Sequence, residues 1–144
     1  MDKEKMGHLI DIMRRWQKIE NTAATQTARI MEESENPLVR LVAEIIQRDT
    51  QIHHRVQQMI IDSQKREKVT ISHDDLEACW SLIADHIQLE KKTIELAGEG
   101  LAAIKGTGAD AEQYLLTYLL RDEEKHEKLL ADLELIKNRL YPKA

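Results

Sequence analysis

Apolar residues recur along this 144-residue chain at alternating steps of three and four, the spacing that lines one face of an α-helix. Four long stretches carry the pattern. The first covers about residues 3–34, with Leu9, Met13, Trp16, Ala23 and Ile30 on one face. "SENPL" interrupts it, with Asn36 suited to cap a helix and Pro37 to its first turn. The second stretch runs to about Asp62 and carries Val42, Ile46, Val56 and Ile60. A polar joint, "SQKREKVTIS", follows, and Ser72 with Asp75 reads as a helix start. The third stripe is Leu76, Cys79, Ile83, Ile94, Ala97, Leu101 and Ile104. "KGTGAD" closes it, and Asp110 with Gln113 is placed to cap a fourth helix reading Leu115, Leu119, Leu129, Leu133, Ile136 and Leu140. Gly98 and Gly100 fall inside the third pattern, where each either weakens the helix or marks a close backbone approach.

Four amphipathic helices with short polar joints predict one all-α domain over residues 1–144, an antiparallel four-helix bundle. Composition agrees: charged residues make up 33%, aromatics 3%, and Gly and Pro are scarce. A net charge of −5 gives no electrostatic footprint for nucleic acid. The one basic run, Lys65-Arg66-Glu67-Lys68, contains its own acid and reads as a solvated turn. Cys79 is alone, which excludes an internal disulfide and a paired-cysteine metal knuckle. No signal-peptide core and no membrane span is readable, so the expectation is a cytoplasmic protein that engages no membrane.

The stripes are not uniformly apolar. Stepping by three and four places Glu20 in the first, Asp49 and His53 in the second, Glu90 in the third, and Asp122 and His126 in the fourth, with Glu123 beside them. "RDTQIHH" in the second helix also matches "RDEEKHE" in the fourth, so the halves read as copies of one helix hairpin. Several acids in one core layer repel each other and cost several kcal/mol each when unpaired. Cations among them remove that cost. Carboxylates with imidazole suit iron or manganese and can hold zinc. An acid and a histidine three or four residues apart lie on one helix face, one turn apart, as two ligands of one metal layer require.

These residues resemble the ferritin-like di-iron carboxylate proteins, bacterioferritin and rubrerythrin in particular. That family places one Glu on helices 1 and 3 and Glu-x-x-His on helices 2 and 4. Glu20 and Glu90 match the single glutamates, Glu123-Glu124-Lys125-His126 matches the fourth-helix motif, and His53 matches the second-helix histidine. The chain departs from the family at Thr50, where a Glu is expected; Asp49 is the nearest substitute. In the fourth helix the repeat favours Asp122 and the motif favours Glu123. The resemblance implies metal ligands Glu20, Asp49, His53, Glu90, Glu123 and His126. It implies two metal ions, iron with manganese or zinc as alternatives, and reaction of Fe(II) with dioxygen or peroxide, as a ferroxidase or peroxide reductase. It implies a homo-oligomer, an external electron donor for any reductase cycle, and a long crossover between helices 2 and 3. Residues 63–74 reach about 40 Å when extended, against roughly 36 Å for such a crossing.

Other polar residues fit less specific roles. His86 stands one turn before Glu90, in a His-x-x-x-Glu pattern also found in hemerythrin-like proteins, and reads as a support for a ligand. Asp49 and Asp122, next to Arg48 and Arg121, also fit plain ion pairs. Trp16 and Met59 read as core filling, and His54 as a surface residue. The competing reading is a non-catalytic helical bundle with a partial site, acting through dimerisation or partner binding. Thr50 is the residue that favours it.

Overall fold

A computed structural model describes residues 2–66 and 68–140, apart from the side chain of Leu140. Glu67 of the basic run and Leu140 as a seam residue therefore lie outside the described residues. The described residues form five helices and no strand: α1 (Lys3–Glu33), α2 (Pro37–Lys65), α3 (His73–Glu77), α4 (Trp80–Ile104) and α5 (Asp110–Leu140). They fall into two compact units, Met1–Thr70 and Ile71–Ala144. None of the described helices is long and apolar enough to cross a membrane.

Helix boundaries follow local chemistry. Asp2 caps α1 by accepting the Lys5 N–H at 2.8 Å. Asn36 caps α2, its Oδ1 accepting from Leu38 and Val39 at 2.9 and 3.1 Å, with Pro37 in the first turn. Such a cap contributes about 1 kcal/mol. Ser72 and Asp75 form a reciprocal capping box at the start of α3 (3.1 and 2.8 Å), as their spacing predicts. α5 starts differently. Gln113 donates its N–H to the Ala109 carbonyl, so Ala109 precedes the first turn and Asp110 is already helical. The two glycines of the preceding turn, Gly106 and Gly108, take φ of 77° and 74°, a region that costs other residues steric strain.

In the first unit, α1 and α2 form an antiparallel hairpin. Gln17 reaches the His54 carbonyl and Gln58, Glu20 meets His53 and Gln57, and Gln47 reaches the Ala24 carbonyl, so contacts run in opposite directions along the two helices. The buried residues are Met13, Glu20 and Thr27 on α1, and Ala43, Thr50, Gln57 and Ile61 on α2. Apart from Ile61 they recur every seven residues, the repeat of a supercoiled helix pair. The expected α2 stripe is thus displaced by one residue. Ile46 and Val56 lie on the expected stripe yet are 48% and 53% exposed, while polar Thr50 and Gln57 occupy the seam. Trp16 and Met59 are likewise exposed rather than core, and His54 is half-buried rather than free on the surface.

In the second unit, α4 and α5 also run antiparallel, with Glu90 opposite His126 and Gly100 opposite Leu116. The expected third helix is broken. The Cys79 N–H bonds the Leu76 carbonyl, a tight three-residue turn, and α4 starts afresh at Trp80. Glu77 and Trp80, either side of this break, both engage Lys137 of α5, at 3.6 Å and with its ammonium 5.0 Å from the indole centre. Leu76, Glu90 and Ala97 are buried, at multiples of seven residues. The two glycines separate cleanly. A Cβ at Gly100 would sit 3.0 Å from a Leu116 methyl, whereas one at Gly98 would meet nothing within 4 Å, so the close approach is at Gly100 alone.

Candidate metal centre

Glu90 stands in the middle of α4, on its buried seam, because the seven-residue repeat that buries Ala97 places it there. Its side chain is 6% exposed. Oε1 meets His86 Nε2 at 2.8 Å and His126 Nδ1 at 3.5 Å. Oε2 is buried and no hydrogen-bond donor reaches it. A buried carboxylate oxygen left without a partner costs free energy and asks for a proton or a cation.

Glu123 and His126 face it from α5, one turn apart. His126 Nδ1 lies 3.5 Å from Glu123 Oε2. One ligand atom from each of Glu90, Glu123 and His126 falls within 4.8 Å of the others, so this group can hold a metal ion. Asp122 takes the far side of the imidazole: its Oδ2 is 3.3 Å from His126 Nε2, and its Oδ1 is 2.8 Å from Lys125 Nζ. With Asp122 on the Nε2 side of the ring, it is the Nδ1 side that is turned to the two glutamates. In the fourth helix Glu123 belongs to this group, while Asp122 lies beside the other ring nitrogen of His126. Neither aspartate pairs with its neighbouring arginine: among the described residues Arg48 pairs with Glu44 at 2.9 Å, and Asp122 with Lys125 and His126.

The two glutamates perturb each other. Hydrogen bonding with Glu90, then burial, then the Glu90 charge hold the Glu123 carboxyl above its ordinary value. Glu90 is held below its own, first by the hydrogen bond with Glu123 and further by His86 and His126, against burial. Each carboxyl thus biases the protonation of the other, in opposite directions. A proton and a divalent cation therefore compete for one place.

The first unit repeats half of this centre. Glu20 is buried on α1, and His53 presents Nδ1 to its Oε1 at 3.3 Å, the same ring nitrogen as in His126. Thr50 occupies the place of Glu123 and brings no carboxylate. Gln57 fills in, donating Nε2 to Glu20 Oε1 at 3.4 Å and leaving its own Oε1 buried and unpartnered. Asp49 is exposed on α2, and among the described residues it pairs with neither Glu20 nor His53. Of the six expected ligands, the structure brings together Glu90, Glu123 and His126 in one hairpin and Glu20 and His53 in the other, while Asp49 stands apart. The donor set of the second unit, two carboxylates and an imidazole around an orphaned buried oxygen, fits iron, manganese or zinc. The pair in the first unit does not complete a site.

His86 is the contributor that the seam pattern missed, because it lies off the seam with its side chain 55% exposed. Its place one turn before Glu90 was the available signal. No protein-family model matches the chain, no curated protein matches its sequence, and no solved structure matches its fold.

Proposed function

We propose that this protein is a ferritin-like carboxylate metalloprotein whose principal ion is held in the second hairpin by Glu90, Glu123 and His126. The observation that carries the reading is the buried, partnerless Oε2 of Glu90 beside a second carboxyl and an imidazole lone pair. Glu90 and Glu123 supply the negative charge, and the charge of an ion offsets the repulsion between them. His126 adds a nitrogen ligand oriented by Asp122. In the bound state this donor set suits Fe(II), which supplies electrons to dioxygen or peroxide, with Mn(II) or Zn(II) as competitors. A second ion, as a di-iron reading requires, would rest on Glu20 and His53 and bind more weakly for want of a carboxylate at Thr50.

The test is metal content of the full-length chain after loading and desalting, with Fe(II) handled without oxygen, followed by the rate of Fe(II) oxidation in air. The expected result is about one tightly held ion per chain, lost in Glu123→Ala and in His126→Ala. Wild-type protein that retains no ion, or retention unchanged in both variants, would sink the reading. The second reading, a helical protein with a vestigial site, draws on Thr50 and on the Gln57–Glu20 hydrogen bond, which satisfies in one hairpin what an ion would satisfy in the other. It is supported if an ion binds but Fe(II) oxidation in air is no faster than in buffer.

A further inference from the structure

We propose that His86 is a positioning residue that sets the metal preference of the centre by deciding how many oxygens Glu90 can offer. This rests on the reading of Glu90, Glu123 and His126 as ligands. His86 lies one turn before Glu90 on α4, and its Nε2 is 2.8 Å from Glu90 Oε1. A hydrogen donated along that contact leaves Nε2 no lone pair for an ion, so His86 acts on the carboxylate and not as a ligand itself. Oε1 is thereby committed, and Oε2 remains as the buried oxygen without a partner.

A carboxylate held by one oxygen binds an ion through the other, in monodentate fashion. Glu90, Glu123 and His126 then give three single-atom contacts including a nitrogen. That set suits ions content with few ligands, such as Zn(II) and Co(II). Freed from His86, Glu90 can close on an ion with both oxygens. Larger ions that collect more oxygen ligands, Mn(II) and Ca(II), gain most from that change. The first hairpin has Trp16 in the corresponding position, one turn before Glu20, and among the described residues its indole makes no hydrogen bond to Glu20. There Gln57 holds Oε1 instead.

The experiment uses the full chain as wild type, His86→Leu and His86→Gln. Because His86 is half exposed, all three are expected to fold. Co(II) binding is followed by its visible absorption and Mn(II) binding by the paramagnetic signal of the free ion. His86→Leu is expected to shift the Mn(II)-to-Co(II) affinity ratio about tenfold toward Mn(II), the scale on which supporting hydrogen bonds act on metal sites. Its Co(II) spectrum should weaken as the coordination number rises. His86→Gln, whose amide can donate to Glu90 from one turn away, should restore both ratio and spectrum. An unchanged ratio and spectrum in His86→Leu overturns the proposal. Outright loss of Co(II) binding in both variants also overturns it, because His86 would then be a ligand. Wild-type protein that binds neither ion removes the metal-site reading itself, and this inference with it.

Discussion

Replacing Thr50 by Glu asks whether the two hairpins are versions of one device. Thr50 is 5% exposed and sits where Glu123 sits in the second hairpin. An open cavity of about 290 Å³ lined by Glu20, Ala24, Thr50 and His54 leaves room for the longer side chain. The new carboxylate would face Glu20. Two carboxylates roughly 4 Å apart repel by about 4 kcal/mol at an effective dielectric near 20. The pair can escape part of that by keeping one proton, and each unit of displaced pKa costs about 1.4 kcal/mol. Metal-free Thr50→Glu should therefore lose about 2 kcal/mol at neutral pH, on the order of 10 °C in melting temperature for a unit of this size. An ion at about 100 times its Kd returns roughly 2.7 kcal/mol. The assay is thermal melting by circular dichroism with and without Mn(II), beside metal content by elemental analysis. Thr50→Gln, equal in length and uncharged, separates bulk from charge. The expected result is a charge-specific loss without metal, recovery with it, and a rise from one ion per chain to two. If Thr50→Glu melts like Thr50→Gln and holds no added ion, the hairpins are not equivalent devices. If Asp49→Ala instead removes a second ion from the wild type, Asp49 is the native ligand.

Other outcomes follow from the same geometry. Asp122→Asn should weaken metal binding by about ten- to a hundredfold without unfolding the protein, read by competition with a coloured chelator. In metal-free protein the Glu90–Glu123 pair should stabilise the fold most between two pH limits. Its contribution is lost on the acid side as pH falls through the lowered pKa of Glu90, and on the alkaline side as pH rises through the raised pKa of Glu123. Melting across pH should show both edges, and Glu123→Gln should erase the alkaline one. Asp75, lowered by its hydrogen bonds to Ser72, stabilises the start of α3 above its unfolded pKa and loses that effect as pH falls through its folded value; Ser72→Ala should flatten the acid limb. Gly98→Ala should stabilise α4 by about 0.5–1 kcal/mol in denaturant melts, while Gly100→Ala should gain less because Leu116 must shift.

Helix content and caps were legible because Asn36, Pro37, Ser72 and Asp75 act locally. The register of α2 was not. Periodicity finds the mean direction of a helix's apolar residues, and on α2 that direction runs through Ile46 and Val56, not through the hairpin seam. The seam holds Thr50 and Gln57, whose polarity hides it. On α4 the two directions nearly coincide at Glu90 and Ala97, so Glu90 was correctly placed on the buried seam. The break at Ala78–Cys79 left no Gly or Pro to announce it. The distinction between Asp122 and Glu123 turns on which face of one imidazole each meets, a matter of side-chain geometry beyond spacing.

The seven-residue interval in the seams makes the chain sensitive to changes of length in a particular way. One residue inserted between Met13 and Glu20 turns everything beyond it by about 100° and carries Glu20 off the seam. Seven residues amount to about two turns and roughly 10 Å of axis, so their loss leaves the facing side chains in phase. A matched removal of seven residues from α1 and seven from α2, taken on the loop side of Glu20 and His53, would yield a shorter hairpin with the same polar layer. The position of that layer along the hairpin is thus free to vary in whole steps of seven.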